Sequence, residues 1–142
     1  MKKTVIYYII AQSLGILIAF ANEYALNFTA SKGNDSVISD YDKWMYGVII
    51  GPLFETLVFN SFLNEVLIKI IPKKNVVIII SSLAFGLIHD FSYIYMISTF
   101  FVGFILNTFY FYLRNEYGIG IAFLVILMLH ANHNFIGILL GK

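Results

Sequence analysis

Five apolar stretches, divided by short polar turns, leave this chain few folds to choose from. They cover residues 4–20, 44–71, 75–89, 93–113 and 118–140. A helix needs about 20 mostly apolar residues to cross roughly 30 Å of hydrocarbon. An open sheet in lipid would leave backbone groups unsatisfied, so each stretch is expected to be helical. Apolar residues make up 60% of the 142 positions and charged residues only 12%. A soluble domain carries about a quarter charged residues, and a chain this short cannot enclose so much apolar surface in one core. The expected fold class is therefore all-α, a polytopic membrane helix bundle of about five transmembrane helices.

Charge and composition exclude several functions. The net charge of +1 provides no basic face for a phosphate backbone, so no nucleic-acid partner is expected. There is no cysteine, hence no disulfide framework, no thiolate zinc site and no cysteine nucleophile. Serines and threonines near the spans show no obvious base partner. The abundance of Ile, Phe, Tyr, Asn and Lys points to an AT-rich bacterial genome, and so to a bacterial cell membrane.

The organisation expected from the pattern is an N-terminal transmembrane anchor over residues 1–21, a polar extracytoplasmic loop over 22–43, and a core over 44–142. The loop carries the turn signal Lys32-Gly33-Asn34-Asp35-Ser36. With the N-terminus cytoplasmic, the inner side carries Lys2, Lys3, Lys69, Lys73, Lys74 and Arg114, against Lys32, Lys43 and Lys142 outside. That bias fits the positive-inside rule. Lys2, Lys3 and Ala19-Phe20-Ala21 also resemble a cleavable signal peptide; the uncleaved anchor is preferred because the chain that follows is itself membrane-embedded.

Ionisable groups within spans are costly, and mark functional sites by default. They are Glu55 in the second span, His89 at the end of the third, and His130 and His133 in the fifth, with Asn60, Asn107 and Asn134 as polar companions. Glu55 precedes Lys69 by 14 positions, His89 follows Lys74 by 15, and His130 follows Arg114 by 16. At 1.5 Å per residue each lies about 21–24 Å from the inner basic anchors. These spans alternate in direction, so the three side chains fall in one layer of the outer half of the bilayer. Glu65 lies one turn before Lys69 and reads as an interfacial ion pair with it. Gly103, Asn107, Tyr110 and Arg114 form a stripe expected to face the bundle interior. Gly47 with Gly51, and Gly137 with Gly141, form small-xxx-small patterns of close helix packing. Pro52 either starts or kinks its helix.

A carboxylate with two or three imidazoles in a low-dielectric layer can activate water. The carboxylate acts as general base, one histidine orients the water, and a second histidine and an amide stabilise the oxyanion. The same set, Glu55, His89 and His130, could instead hold a divalent metal such as zinc, since two His plus Glu is a catalytic zinc ligand set. No H-E-x-x-H signature accompanies it. Interhelical hydrogen bonding alone, above all for His133, and a proton path are the competing readings.

These residues resemble the CPBP family of CAAX proteases and bacteriocin-processing enzymes, also called Abi. Its first motif, P-x-x-E-E-x-x-x-R, corresponds to Pro52-Leu53-Phe54-Glu55-Thr56-Leu57-Val58-Phe59-Asn60. Its second, F-x-x-x-H, corresponds to Phe85-Gly86-Leu87-Ile88-His89, preceded by Ser81-Ser82-Leu83-Ala84. Its third, H-x-x-x-N or H-x-x-x-D, corresponds to His130-Ala131-Asn132-His133-Asn134. The resemblance spans residues 48–138 and implies a four-helix core and an intramembrane endopeptidase, metalloprotease-like in type. It makes Glu55 and His89 the water-activating pair, with His130 and Asn134 supporting the oxyanion or the water. The implied partners are the lipid bilayer and a peptide or protein substrate in or near it, as in CAAX or bacteriocin processing. Thr56 and Asn60 depart from the motif's second Glu and its Arg. The alternative reading is a non-catalytic immunity or regulatory membrane protein on the same scaffold.

Overall fold

A computed structural model describes residues 40–90 and 93–140, together with positions 6, 9, 10 and 13, which are helical. The first expected span, 4–20, and the loop up to residue 39 otherwise lie outside the described residues. Among those described, the chain is helical with no strand. It forms α1 over residues 40–70, α2 (Lys74–Leu87), α3 (Tyr93–Tyr117) and α4 (Ile119–Leu140). Met45–Ile70, Tyr95–Tyr117 and Ile119–Leu139 are long and apolar enough to cross a membrane, and α2 is a shorter apolar helix. The all-α membrane bundle read from hydropathy is what the chain forms.

Pro52 neither starts nor breaks α1. The helix runs through it, from Asp40–Trp44 into a π-helical stretch at Met45–Ile50, then Gly51–Glu55, a second π-helical stretch at Thr56–Phe62, and Leu63–Ile70. Proline lacks the N–H that would continue the α-helical ladder, and its ring crowds the preceding turn. Widening that turn relieves the clash. The Gly51 N–H reaches back five residues to the Tyr46 carbonyl, and the Leu63 N–H reaches Val58 in the same way. A Cβ on residue 51 would stand 2.7 Å from the Tyr46 oxygen, so the first wide turn requires glycine there.

Two short connections set the helix directions. Ile71 is extended, at φ −115° and ψ 96°, because the following Pro72 disfavours helical geometry in the residue before it. That ends α1 and lets α2 start at Lys74. Gly118, at φ +86°, occupies the left-handed region that favours glycine and folds α4 back against α3.

Helix α3 is central. Half of its apolar window is buried, against 22% for α1 and for α4. Its Val102, Leu106, Phe109, Tyr110, Phe111 and Leu113 meet Val77 and Ile78 of α2 and Ala122, Ile126 and Leu129 of α4. The outward faces carry Phe54, Phe62, Ile70 and Met128, all more than 60% exposed. Water would penalise such a surface by roughly 25 cal/mol per Å²; lipid tails do not. Gly47 supports close packing, since a Cβ there would meet Ile138 Cδ1 at 2.9 Å. Gly137 does not: a Cβ there finds nothing within 4 Å, so the expected packing stripe on α4 does not form around it, and Gly141 lies outside the described residues.

Candidate functional site

Glu55, His89 and His130 come together from three helices. Glu55 projects from α1 just before its second π-helical stretch, His89 follows the end of α2, and His130 lies midway along α4. Glu55 Oε2 is 3.7 Å from His89 Nε2 and 3.3 Å from His130 Nε2. The separation of Glu55 and His89 falls within the 3–6 Å of a direct or water-bridged contact. His130 is buried, while Glu55 and His89 keep a partly exposed edge.

The two imidazoles are held differently. His89 Nδ1 donates to the Phe85 carbonyl at 2.7 Å; a carbonyl only accepts, so the Nδ1 proton is fixed there. In the neutral ring, Nε2 then turns a lone pair toward Glu55. The F-x-x-x-H spacing carries this geometry, because residue 85 supplies the carbonyl one turn back. The Phe85 ring is a shared wall for the pair, with centroids 4.7 Å from His89 and 5.6 Å from His130. Gly103 of α3 gives that ring its room: a Cβ there would meet Phe85 Cδ1 at 2.9 Å. Tyr95, in the first turn of α3, sets its ring 5.7 Å from His89. Nothing in the motif spacing singled out Tyr95.

Glu55 Oε2 is fully buried yet no donor is aligned on it in the way a hydrogen bond requires. The 3.3 Å approach of His130 Nε2 is thus an oblique electrostatic contact rather than a formed bond. A buried carboxylate oxygen left in this state is costly, and it is the outstanding polar feature of the layer.

Of the remaining polar residues, Thr56 borders this site and the others lie elsewhere. Thr56 is buried, with its hydroxyl 3.2 Å from His130 Nδ1. Asn60 enters an amide network: Asn60 and Asn64 both donate to Asn107 Oδ1, at 2.9 and 2.7 Å, and Asn107 donates to Ser82 Oγ at 3.2 Å. Asn134 donates to the Gly47 carbonyl at 2.8 Å. In the widened turn that carbonyl would await the N–H of residue 52, which is proline. Asn134 therefore satisfies an acceptor orphaned by Pro52. His133 is half-buried on α4.

One expectation needs correction. Glu65 pairs across the bundle with Arg114 instead of along its own helix with Lys69. Arg114 Nε lies 2.6 Å from Oε1 and Arg114 NH2 3.0 Å from Oε2, and the Tyr110 hydroxyl donates to Oε1 at 3.0 Å. A planar guanidinium matches a carboxylate with two parallel bonds, which an ammonium one turn away cannot do. The stripe Gly103, Asn107, Tyr110 and Arg114 does face the interior. Among the described residues, no group of three His, Asp or Glu side chains is arranged to hold a metal ion. The His89 and His130 nitrogens converge on one carboxylate oxygen of Glu55.

A family model described as "Rce1-like: Type II CAAX prenyl endopeptidase Rce1-like" matches residues 41–136 of the 142. No curated protein and no solved structure matches the chain significantly.

Proposed function

The chain belongs to the Rce1-like family of type II CAAX prenyl endopeptidases, and from that premise we propose that it hydrolyses a peptide bond within the membrane by activating water on Glu55. One observation carries this reading: Glu55 Oε2 is buried without an aligned donor, between the Nε2 atoms of His89 and His130. Water supplies what the two facing acceptors lack. One O–H is donated to Oε2 and the other to the His89 Nε2 lone pair, which holds the water oxygen toward a substrate carbonyl. As that oxygen bonds to the carbonyl carbon, Glu55 takes the proton, and the carbonyl electron pair moves onto its oxygen beside His130. When the C–N bond breaks, Glu55 returns the proton to the leaving amine. The 3.7 and 3.3 Å separations put both imidazoles within direct or water-bridged reach of Glu55, as general acid–base catalysis demands.

The substrate on this reading is a peptide or protein segment in or near the bilayer of a bacterial cell. Residues 1–21 anchor the chain with its N-terminus inside, residues 22–43 lie outside, and 44–142 carry the chemistry. Labelling of a single cysteine at Ser36 tests the orientation, because the native chain has no thiol; modification only from the cytoplasmic face would overturn it.

The decisive experiment measures cleavage of a prenylated CAAX peptide by the full chain in liposomes, with wild type and Glu55→Gln at matched levels of folded protein. Loss of cleavage with the fold intact is the expected result. Equal cleavage by both would remove Glu55 as the base, and no cleavage by either would leave the non-catalytic immunity or regulatory role in its place.

A further inference from the structure

Thr56 behaves unlike the other helical threonines whose hydroxyls are placed. Thr99 and Thr108 bond back to carbonyls of their own helix, at Tyr95 (2.8 Å) and Phe104 (2.7 Å), as helical threonines commonly do. Thr56 Oγ1 instead reaches across the bundle to His130 Nδ1 at 3.2 Å, 74 residues away in sequence. Both residues are almost wholly buried, Thr56 at 0% and His130 at 2% exposure, so no solvent competes for the contact. Thr56 has no other side-chain hydrogen bond among the described residues.

The contact has a direction, and Glu55 decides it. His130 Nε2 stands 3.3 Å from Glu55 Oε2. A nitrogen lone pair facing a carboxylate in a low-dielectric layer is repelled; an N–H dipole there is attracted. The proton of the neutral ring therefore belongs on Nε2. That leaves Nδ1 as an acceptor, and the Thr56 hydroxyl is able to donate to it. His89 is the mirror case, since its proton is fixed on Nδ1 by the Phe85 carbonyl.

We infer that Thr56 is a positioning residue that holds His130 with its proton on Nε2, so that the two imidazoles face Glu55 with opposite polarity: His130 presents an N–H and His89 a lone pair. This rests on the hydrolytic reading for its consequence, though not for the tautomer itself. The consequence is a division of labour. His89 accepts from the attacking water, and His130 donates to the oxygen that gains charge. A carboxylate at position 56, as in the motif this segment resembles, is acceptor-only and would draw the proton to Nδ1. The threonine thus reverses the polarity of the nitrogen that faces Glu55.

Nitrogen-15 spectra of the histidine-labelled full chain in lipid bilayers test this directly. His130 is assigned by the signals lost in His130→Asn. The expected wild-type spectrum has an unprotonated, pyridine-type Nδ1 and a protonated, pyrrole-type Nε2. Thr56→Ser keeps this pattern, and Thr56→Glu moves the proton to Nδ1. In cleavage assays Thr56→Val lowers kcat by up to about 100-fold, the scale of a small misplacement of a catalytic group, with little change in KM, and Thr56→Ser restores most of it. A protonated Nδ1 in the neutral wild-type ring would overturn the inference, as would Thr56→Val with unaltered spectra and kcat. The spectra are read without substrate. A wild-type rate in Glu55→Gln would therefore remove the reading of Glu55 as base while leaving the tautomer assignment in place.

Discussion

Glu55 and Glu65 sit on the same helix and both turn a carboxylate inward, yet their surroundings differ in kind. Glu65 meets a guanidinium in a two-pronged contact and a phenol besides, so both of its oxygens have donors. Glu55 meets two imidazole nitrogens, and its Oε2 has no aligned donor. An arginine is always charged and does not give up its proton, so the Glu65 cluster is fixed. The Glu55 oxygen has no permanent donor of this kind, so it is open to a proton from water. A buried carboxylate acts as a staple when its partners are complete and permanent, and as a reactive centre when they are incomplete and exchangeable.

Four substitutions break or sharpen this contrast. Glu55→Gln should lower peptide cleavage by about 10²–10⁴-fold, the usual contribution of a general base, with the folded protein retained in the membrane. Arg114→Gln should act on the opposite quantity. It strands the Glu65 carboxylate and should cost about 1–3 kcal/mol of stability, read as a lower Tm in detergent, while turnover per folded molecule stays at the wild-type value. If Arg114→Gln cut turnover at an unchanged Tm, the division between the two glutamates would collapse.

The amide network between these clusters should give a smaller effect. Asn107→Leu deprives Asn60 and Asn64 of their common acceptor and should cost about 1–2 kcal/mol, the upper range for interhelical hydrogen bonds in membranes. An unchanged Tm would show that the network contributes nothing net. Asn134→Leu is expected to be mildest, at about 0.6 kcal/mol for the Gly47 carbonyl it leaves unmatched. A fall in kcat of two orders of magnitude without a Tm shift would assign Asn134 the oxyanion role that its motif implies.

Much of this architecture was legible from hydropathy, because the lipid requirement for long apolar helices is severe. The stretches at 75–89 and 118–140 lie within a few residues of α2 and α4. The meeting of Glu55, His89 and His130 was legible too, since residue rise and basic anchors fix depth along a helix. Lateral relations were harder. Glu65 looked paired with Lys69 because an i, i+4 partner is visible in sequence and a cross-bundle arginine is not. The wide turns around Pro52 left no periodic signature, and so the link from Asn134 to Gly47 could not be read either. Thr56 registered as a departure from a motif, and its partner on α4 became visible only once the helices were assembled.

The wide turns of α1 also govern how the helix tolerates changes of length. A π-helical stretch accommodates residues that a uniform α-helix would have to carry as a rotation of everything beyond it. Position 55 is joined to the Glu65 staple through one such stretch, Thr56–Phe62. Deleting a single residue there would let the coil tighten to an α-helix with Glu55 still turned toward both histidines, whereas the same deletion in the α-helical turn that follows would swing Glu55 by about 100° around the axis, away from both, while every chemical group survived. In this segment the angular phase of the backbone is as much a determinant of function as the identity of any side chain, and the wide turn is the place where that phase can absorb a one-residue change.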